Sequence, residues 1–314
     1  EGGTACEYRA NAKGNAAVVG AGAVTAALGN AAAREAAPAG NDRSKNRLLD
    51  GSEPFLRALG VSDERGRVYD KKQPKFRQIC RFLEHIQEIE SCLPAEGELR
   101  ICDLCCGKSY LSFAVYHYFA VLRGRRVSMT GVDLKPDVIE YCSSVAESLG
   151  FSGLEFICGN VLEYDSRERG LPQLVVSLHA CDTATDIVLT KAAQWRAKVI
   201  LSTPCCHHAL ARVIDCPELA FVTDHPFLSR KLCDVLTDAA RLARLDAEGY
   251  VTTAMELTDP DDTPKNVLLR AVLDDAPDPS RLAARRERYE SIRRFLAAGD
   301  PEGARGALPD VTDD

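Results

Sequence analysis

Residues Leu99 to Phe113 read LRICDLCCGKSYLSF, and the rest of the chain is organised around them. Leu99 to Leu104 is a buried-strand pattern, Cys105-Cys106-Gly107 a tight turn, and a helix is predicted to open at Lys108-Ser109. A strand ending in an acidic residue and a turn of small residues is how an open α/β sheet presents its first ligand loop. Gly107 lacks a Cβ, so the backbone can take a positive φ and a ligand can lie against it. The turn is not G-x-G-x-x-G, so a dinucleotide pyrophosphate is not the expected guest. Asp103, at the strand end, suits a ligand carrying positive charge or hydroxyl donors. Taken alone, the stretch is an ordinary strand-to-helix turn, and its surroundings decide its meaning.

Downstream, strand and helix patterns alternate. Arg126 to Val132 is a second strand ending at Asp133, and Pro136 to Leu149 a helix closed by Gly150. Leu154 to Cys158 is a third strand, followed by Gly159-Asn160, and Leu174 to Leu178 a fourth, ending at His179. Asp182 to Trp195 reads as a helix, and Val199 to Ser202 as a fifth strand running into Thr203-Pro204-Cys205-Cys206-His207-His208. A long helix is predicted over Leu228 to Glu248. Tyr250 to Leu257 and Val267 to Leu273 follow, joined by a polar loop, Thr258 to Asn266. That link is too short for a parallel crossover, so this last pair should be antiparallel. The alternation predicts an α/β fold with a mainly parallel sheet covered by helices on both faces.

The flanks differ in composition. Residues 1–40 are dominated by Ala and Gly, with a possible hairpin turning at Ala12-Lys13-Gly14-Asn15 and an Ala-rich linker behind it. Residues 41–95 form a helical extension: Pro54 to Leu59 and Phe76 to Ile89 have helical spacing, with Phe76, Ile79, Phe82, Leu83 and Ile86 on one face. Arg43 to Arg81 is a basic stretch that includes Lys71, Lys72, Lys75 and Arg77. The sheet-forming domain covers 96–275. The acidic tail, 276–314, carries one predicted helix, Pro279 to Ala298, with Leu282, Tyr289, Ile292 and Phe295 as its apolar stripe, and should fray after Gly299.

The 314 residues carry a net charge of −7, which argues against a protein that coats nucleic acid non-specifically but leaves room for a local basic face. No apolar run approaches the ~20 residues of a membrane-spanning helix, and no signal peptide is visible. The chain opens at Glu1 without a methionine, as a fragment or processed chain would. Thirteen cysteines without the spacing of a small disulfide scaffold point to reduced thiols and a cytoplasmic protein. Cys102, Cys142, Cys158 and Cys233 fall in element interiors, where cysteine packs as a small hydrophobe.

Ligands of open α/β sheets bind outside the carboxyl ends of the strands. Those ends carry Asp103, Cys105, Cys106 and Gly107; Asp133; Asn160; His179, Cys181 and Asp182; and Pro204 to His208. A carboxylate at the second strand end can accept both hydroxyls of a ribose, and the Asn160 amide suits an adenine edge. Together these positions favour an adenosine-type ligand.

ICDLCCGKSYLSF, GVDLK, LHACDTATD and STPCCHH, in this order, resemble the class I S-adenosylmethionine-dependent methyltransferases. More narrowly they resemble the methyltransferase-32 family, which includes the tRNA 2′-O-methyltransferase 13-like and methyltransferase-like 25 proteins. The similarity runs from about Lys71 to Val272. It implies a Rossmann-like, seven-stranded, mostly parallel sheet with an antiparallel last strand. It also implies that S-adenosyl-L-methionine is the cofactor. Asp103, Cys105, Gly107 and Ser109 would then line its methionine part, with Cys106 and Lys108 in the same loop. Asp133 would hold the ribose beside Leu134, and Asn160 and Val161 the adenine, while His179 faces the site from the fourth strand. Two features depart from the family pattern. Cys105-Cys106 replaces a more open glycine-rich loop, and Asn160 stands where Asp is common.

On the acceptor side, His179 is a candidate general base, with Asp182 beside it. Lys265, in the last hairpin loop, could steer an anionic acceptor. No Asn-Pro-Pro-Tyr motif follows the fourth strand, which counts against methylation of a base amine or glutamine. Cys205-Cys206-His207-His208, with Cys181, His179 and Cys105-Cys106, raises a zinc site, but adjacent ligands do not share a tetrahedral ion easily, and structural cysteine is preferred over metal. The expected activity is methyl transfer to RNA (tRNA or rRNA), with the Arg43–Arg81 stretch contacting the acceptor. The alternatives are a protein or small-molecule methyltransferase of the same fold and a non-catalytic nucleoside-binding scaffold.

Overall fold

A computed structural model describes residues 7–10, 16–19, 48–178, 180–205, 207–257, 266–297, 305 and 307–311. The chain divides into two units, Glu1–Arg47 and Leu48–Asp314. In the first, β1 (Glu7–Ala10) pairs antiparallel with β2 (Ala16–Val19) in the register Glu7↔Val19 and Ala10↔Ala16. These strands bracket the predicted turn. The turn itself, the Ala-rich linker and the start of the basic stretch lie outside the described residues.

The second unit is built on a seven-stranded sheet. Its strands are β3 (Leu99–Leu104), β4 (Val127–Asp133), β5 (Leu154–Cys158), β6 (Leu174–Ser177), β7 (Val199–Ser202), β8 (Tyr250–Glu256) and β9 (Val267–Leu273). Their spatial order is β5-β4-β3-β6-β7-β9-β8. β3 to β7 pair in parallel, and β9 runs antiparallel to both β7 and β8. This is the Rossmann-like sheet that the sequence implies. The chain leaves β3 toward β4 and β5, then returns to lay β6 on β3's other side, so the switch point lies between β3 and β6.

Strands β3, β4, β6 and β7 are buried along almost their whole length, because helices cover both faces and neither side can alternate polar residues outward. One face carries α1 (Pro54–Ala58), α2 (Gln73–Ile89), α3 (Tyr110–Tyr116) and α4 (Pro136–Ser148). There Phe55, Phe82, Phe113 and Cys142 join one core with Ile101 and Met129. The other face carries α5 (Thr183–Gln194). The short helices α6 (Ala209–Val213) and α7 (Ala220–Thr223) lead into the long α8 (Pro226–Ala247). Val188, Leu189, Trp195 and Leu245 pack there against Val175 and Ile200. Among the described residues no helix is long and apolar enough to cross a membrane.

The structure corrects three local expectations. The helix after the loop begins at Tyr110, because Ser109 sits at φ +55° and cannot be its first turn. Cys158 is exposed, because it ends the edge strand β5. In α9 (Pro279–Leu296), Phe295 is exposed and Leu296 is buried. The segment carrying Ala307 and Leu308 packs on Leu296 and Ala297 with Leu210 and Ala240, and Arg293 donates from Nε to the Leu308 carbonyl. That contact fixes the inward face of α9 at Tyr289, Arg293 and Leu296.

Candidate active site

The loop after β3 winds through alternate left-handed positions: Cys105 at φ +62°, Gly107 at +53° and Ser109 at +55°. Two of these three carry side chains, and non-glycine residues held there cost energy that recurs at functional sites. Asp133 holds the loop from β4, its Oδ2 accepting the Gly107 N–H at 2.9 Å and its Oδ1 the Lys135 N–H at 3.1 Å. The Ser109 hydroxyl donates to the Gly107 carbonyl at 3.2 Å, and the Cys106 N–H to the Val132 carbonyl.

Asp103 lies beneath this loop, 2% exposed. Ser112, one turn into α3, donates to its Oδ2 at 2.5 Å, while Oδ1 is buried without a hydrogen-bond partner. Burial pushes the Asp103 carboxyl up to about 7, the Ser112 hydrogen bond opposing and the Asp133 charge adding. Burial, then the charges of Asp103 and Asp133, likewise push the Cys105 thiol up to about 12, so it stays protonated. Val161 is buried, Asn160 is half-buried with its Oδ1 accepting the Leu162 N–H at 3.0 Å, and Leu134 is exposed. The loop, Asp103, Asp133, Asn160 and Val161 therefore converge on one end of β3, β4 and β5. Lys108 is exposed on the loop. Nearby Tyr110 has Lys72, which caps α2, and Lys75, in its first turn, over its ring, at 5.6 and 5.4 Å from the centroid.

Across the switch point the chemistry is ionic and buried. Asp182, at φ +53°, uses Oδ1 to accept the N–H groups of His208 and Ala209, both at 2.9 Å. Its carboxylate thus ties the β6 loop to the loop after β7. Arg241 of α8 forks onto Asp186, with Nε to Oδ1 at 2.9 Å and Nη2 to Oδ2 at 2.7 Å. It also donates to Asp238 at 3.1 Å and to the Asp182 carbonyl at 2.8 Å. His207 places Nε2 2.8 Å from Asp238 Oδ1. Cys181 and Cys205 bring their sulfurs to 2.8 Å.

His179, Cys206 and Lys265 lie outside the described residues. Among the described residues no group of three His, Cys, Asp or Glu side chains is arranged to hold a metal ion. The sequence reading missed Ser112, Asp186, Asp238 and Arg241. Ser112 was within reach, three residues past Ser109 on the same predicted helix, but Asp186, Asp238 and Arg241 are joined only by the fold.

Known proteins resemble parts of this chain. The methyltransferase-32 family model, described as a methyltransferase domain, matches residues 74–213. The match contains the β3 loop, Asp133, Asn160, Asp182 and His207, so both sides of the switch point fall within the matched segment. A mouse glutathione S-transferase C-terminal domain-containing protein is 24% identical over 199 residues, covering 55% of this chain and 30% of its own length. The chain thus spans well under half of that curated relative. Among solved structures, the citrinin polyketide synthase CMeT domain is similar at 14% identity and a TM-score of 0.43, over 72% of this chain and 61% of that one. An rRNA methylase from Streptococcus thermophilus is similar at 11% identity and a TM-score of 0.39, over 62% of this chain and 97% of that one.

Proposed function

We propose that the chain is a cytoplasmic S-adenosylmethionine-dependent methyltransferase that acts on RNA. One observation carries the cofactor assignment: Asp103 Oδ1 is buried and unpartnered beneath a strained loop. Such an oxygen is costly unless a cationic donor reaches it, and the ammonium of a methionine moiety is one. Asp133 has already committed one lone pair on each oxygen to the backbone, and its remaining capacity suits ribose hydroxyls. Asn160 and Val161 offer an amide and an apolar surface to an adenine ring. When bound, the cofactor supplies a methyl group on a positively charged sulfur, so the chain's main task is to hold the acceptor in line.

The RNA half is supported by Lys72 and Lys75, stacked on Tyr110 where α3 leaves the cofactor loop. A polyanion running past the loop would meet these cations. Burial and the neighbouring Lys72 charge lower the Lys75 pKa, so a phosphate there would restore favourable solvation of its ammonium. The thirteen cysteines suit the reducing cytoplasm. The net charge of −7 favours a second reading, a protein or small-molecule acceptor.

The test is transfer of radiolabelled methyl from S-adenosylmethionine to a cell extract, with Asp133→Ala as the blank. Label released by RNase, absent from the blank and reduced with Asp103→Asn, is the expected result. Label released only by protease would replace RNA with protein as the acceptor. No transfer, with cofactor still bound, would leave a nucleoside-binding scaffold.

A further inference from the structure

Two loops meet where β6 and β7 end. The first runs from β6 to α5 and carries Cys181; the second follows β7 and carries Cys205. Hydrogen bonds join the loops on both sides of these cysteines. On one side Thr203 donates its N–H to the Ser177 carbonyl at 2.9 Å and its hydroxyl to the Leu178 carbonyl at 3.2 Å. On the other, the Asp182 carboxylate accepts the His208 and Ala209 N–H groups. Between these two clamps the sulfurs of Cys181 and Cys205 face each other at 2.8 Å. A disulfide bond is about 2.05 Å long, so less than about 1 Å of closure separates the pair from bonding. Side-chain torsions can supply that much while both clamps stay in place.

Exposure sets the order in which the two thiols act. Cys181 is exposed and Cys205 half-buried, so an oxidant arriving from solution meets Cys181 first and Cys205 stands behind it. Cys105, on the β3 loop, is the third thiol of this neighbourhood, near enough to feel the charge of Cys181. Burial and the charges of Asp103 and Asp133 hold the Cys105 thiol protonated, and a protonated thiol is a poor attacker of another sulfur. Cys205 is therefore the thiol placed to close on an oxidised Cys181.

We propose that Cys181 and Cys205 are a modification site: a peroxide oxidises them to a reversible disulfide that staples the β6 loop to the β7 loop. The inference goes beyond the methyl-transfer reading and does not rest on it. In the first step the Cys181 sulfur bonds to one peroxide oxygen as the oxygen–oxygen bond breaks, giving a sulfenic acid. The departing hydroxide takes the proton that Cys181 loses and leaves as water. The Cys205 sulfur then bonds to the Cys181 sulfur as the sulfur–oxygen bond breaks. The second hydroxide takes the Cys205 proton and also leaves as water. The two sulfurs together lose two electrons, and these reduce the peroxide. A dithiol reductant returns two electrons and two protons and restores both thiols. The staple closes a span of 24 positions and lies wholly on the β6–β7 side. In a reducing compartment such a bond is transient and reports an oxidant.

The experiment uses the full chain, reduced, freed of reductant and exposed to a slight molar excess of hydrogen peroxide. Remaining thiols are then alkylated and the tryptic peptides weighed. The expected product joins residues 170–191, which hold Cys181, to residues 199–212, which hold Cys205 and Cys206. It should be two hydrogens lighter than the separate peptides, and dithiothreitol should undo it. Fragmenting the linked peptide between the adjacent cysteines assigns the bond without any variant. Cys205→Ser should abolish the link, and Cys206→Ser should keep it. Oxidation should raise the wild-type unfolding midpoint by about 5–10 °C, the effect of closing a loop of this length, and leave that of Cys205→Ser where it was. A bond that maps to Cys206, or to residues 101–108, which hold Cys105, overturns the proposal. So does Cys181 left unreacted or carried to a sulfinic acid with no link formed. A correctly mapped link that fails to raise the midpoint overturns the staple.

Discussion

On the β3–β4–β5 side of the sheet's carboxyl edge, the site is made from residues that are close in sequence. Asp103 and Ser112 are nine positions apart, and Gly107 and Asp133 are 26 apart. On the β6–β7 side, Arg241 reaches 55 positions back to Asp186 and 59 back to the Asp182 carbonyl. The first side leaves a buried carboxylate oxygen open and bends its backbone into costly conformations. The second side pairs its charges with one another: Arg241 with Asp186 and Asp238, and His207 with Asp238 and Asp234. A site for a ligand of fixed shape can be built from one loop and its supports. A site for an acceptor delivered from outside needs a wall, and a wall is assembled from distant segments.

If that contrast is right, damage should stay on its own side. Arg241→Met would strand the Asp186 and Asp238 carboxylates inside the protein and should cost about 3–5 kcal/mol of stability, read by denaturant unfolding. The folded fraction should bind S-adenosylmethionine with native affinity, and a parallel loss of affinity would erase the division.

Asp103→Asn should act in the opposite sense on stability. The folded pKa of Asp103 is about 7, above its unfolded value. The penalty for ionising it is therefore absent below the unfolded pKa and complete above about 7. Removing the charge should stabilise the cofactor-free protein at pH 8 by on the order of 4 kcal/mol, shrinking to nothing near pH 4. In the same variant cofactor affinity should drop by about 10-fold or more, seen by calorimetry. Stability that changes equally at pH 4 and pH 8 would mean that Asp103 is not the group responsible.

Asp182→Ala removes two charge-assisted hydrogen bonds between the loops and should cost about 1.5–3 kcal/mol, measured by thermal unfolding. Near-native activity per folded molecule at low temperature would assign Asp182 to holding the loops, whereas loss of activity without loss of stability would return it to the chemistry. The smallest effect is expected from reversing Lys72 and Lys75 to Glu. These are partly exposed charges, so acceptor KM should rise several-fold, more at low salt than at high, with cofactor affinity unchanged.

The difference between the two sides also explains what could be read from the sequence. The sheet was legible because β3, β4, β6 and β7 are short, mainly apolar runs separated by helical patterns, and because the link before β9 is too short for a crossover. Asp103, Gly107, Asp133 and Asn160 were legible because each sits at a strand end. His207 stood out only as part of a Cys/His run, where the metal question hid the neighbour that matters, Asp238, on a helix that reads as merely amphipathic. The outward turn of Phe295 was illegible for a related reason. A segment beyond α9 packs on Leu296, and no periodicity within a helix records what will later lie against it.

The open oxygen of Asp103 has one further consequence, and it concerns heat. A cation docking there pulls a carboxyl poised near neutrality toward its ionised form, so near pH 7 each docking event expels a fraction of a proton. Different buffers take up that proton with different enthalpies. Titrations run in phosphate and in Tris should therefore disagree in apparent heat while agreeing in affinity. The slope of that disagreement counts the protons released, so a colourless ligand can be followed through the acid it liberates.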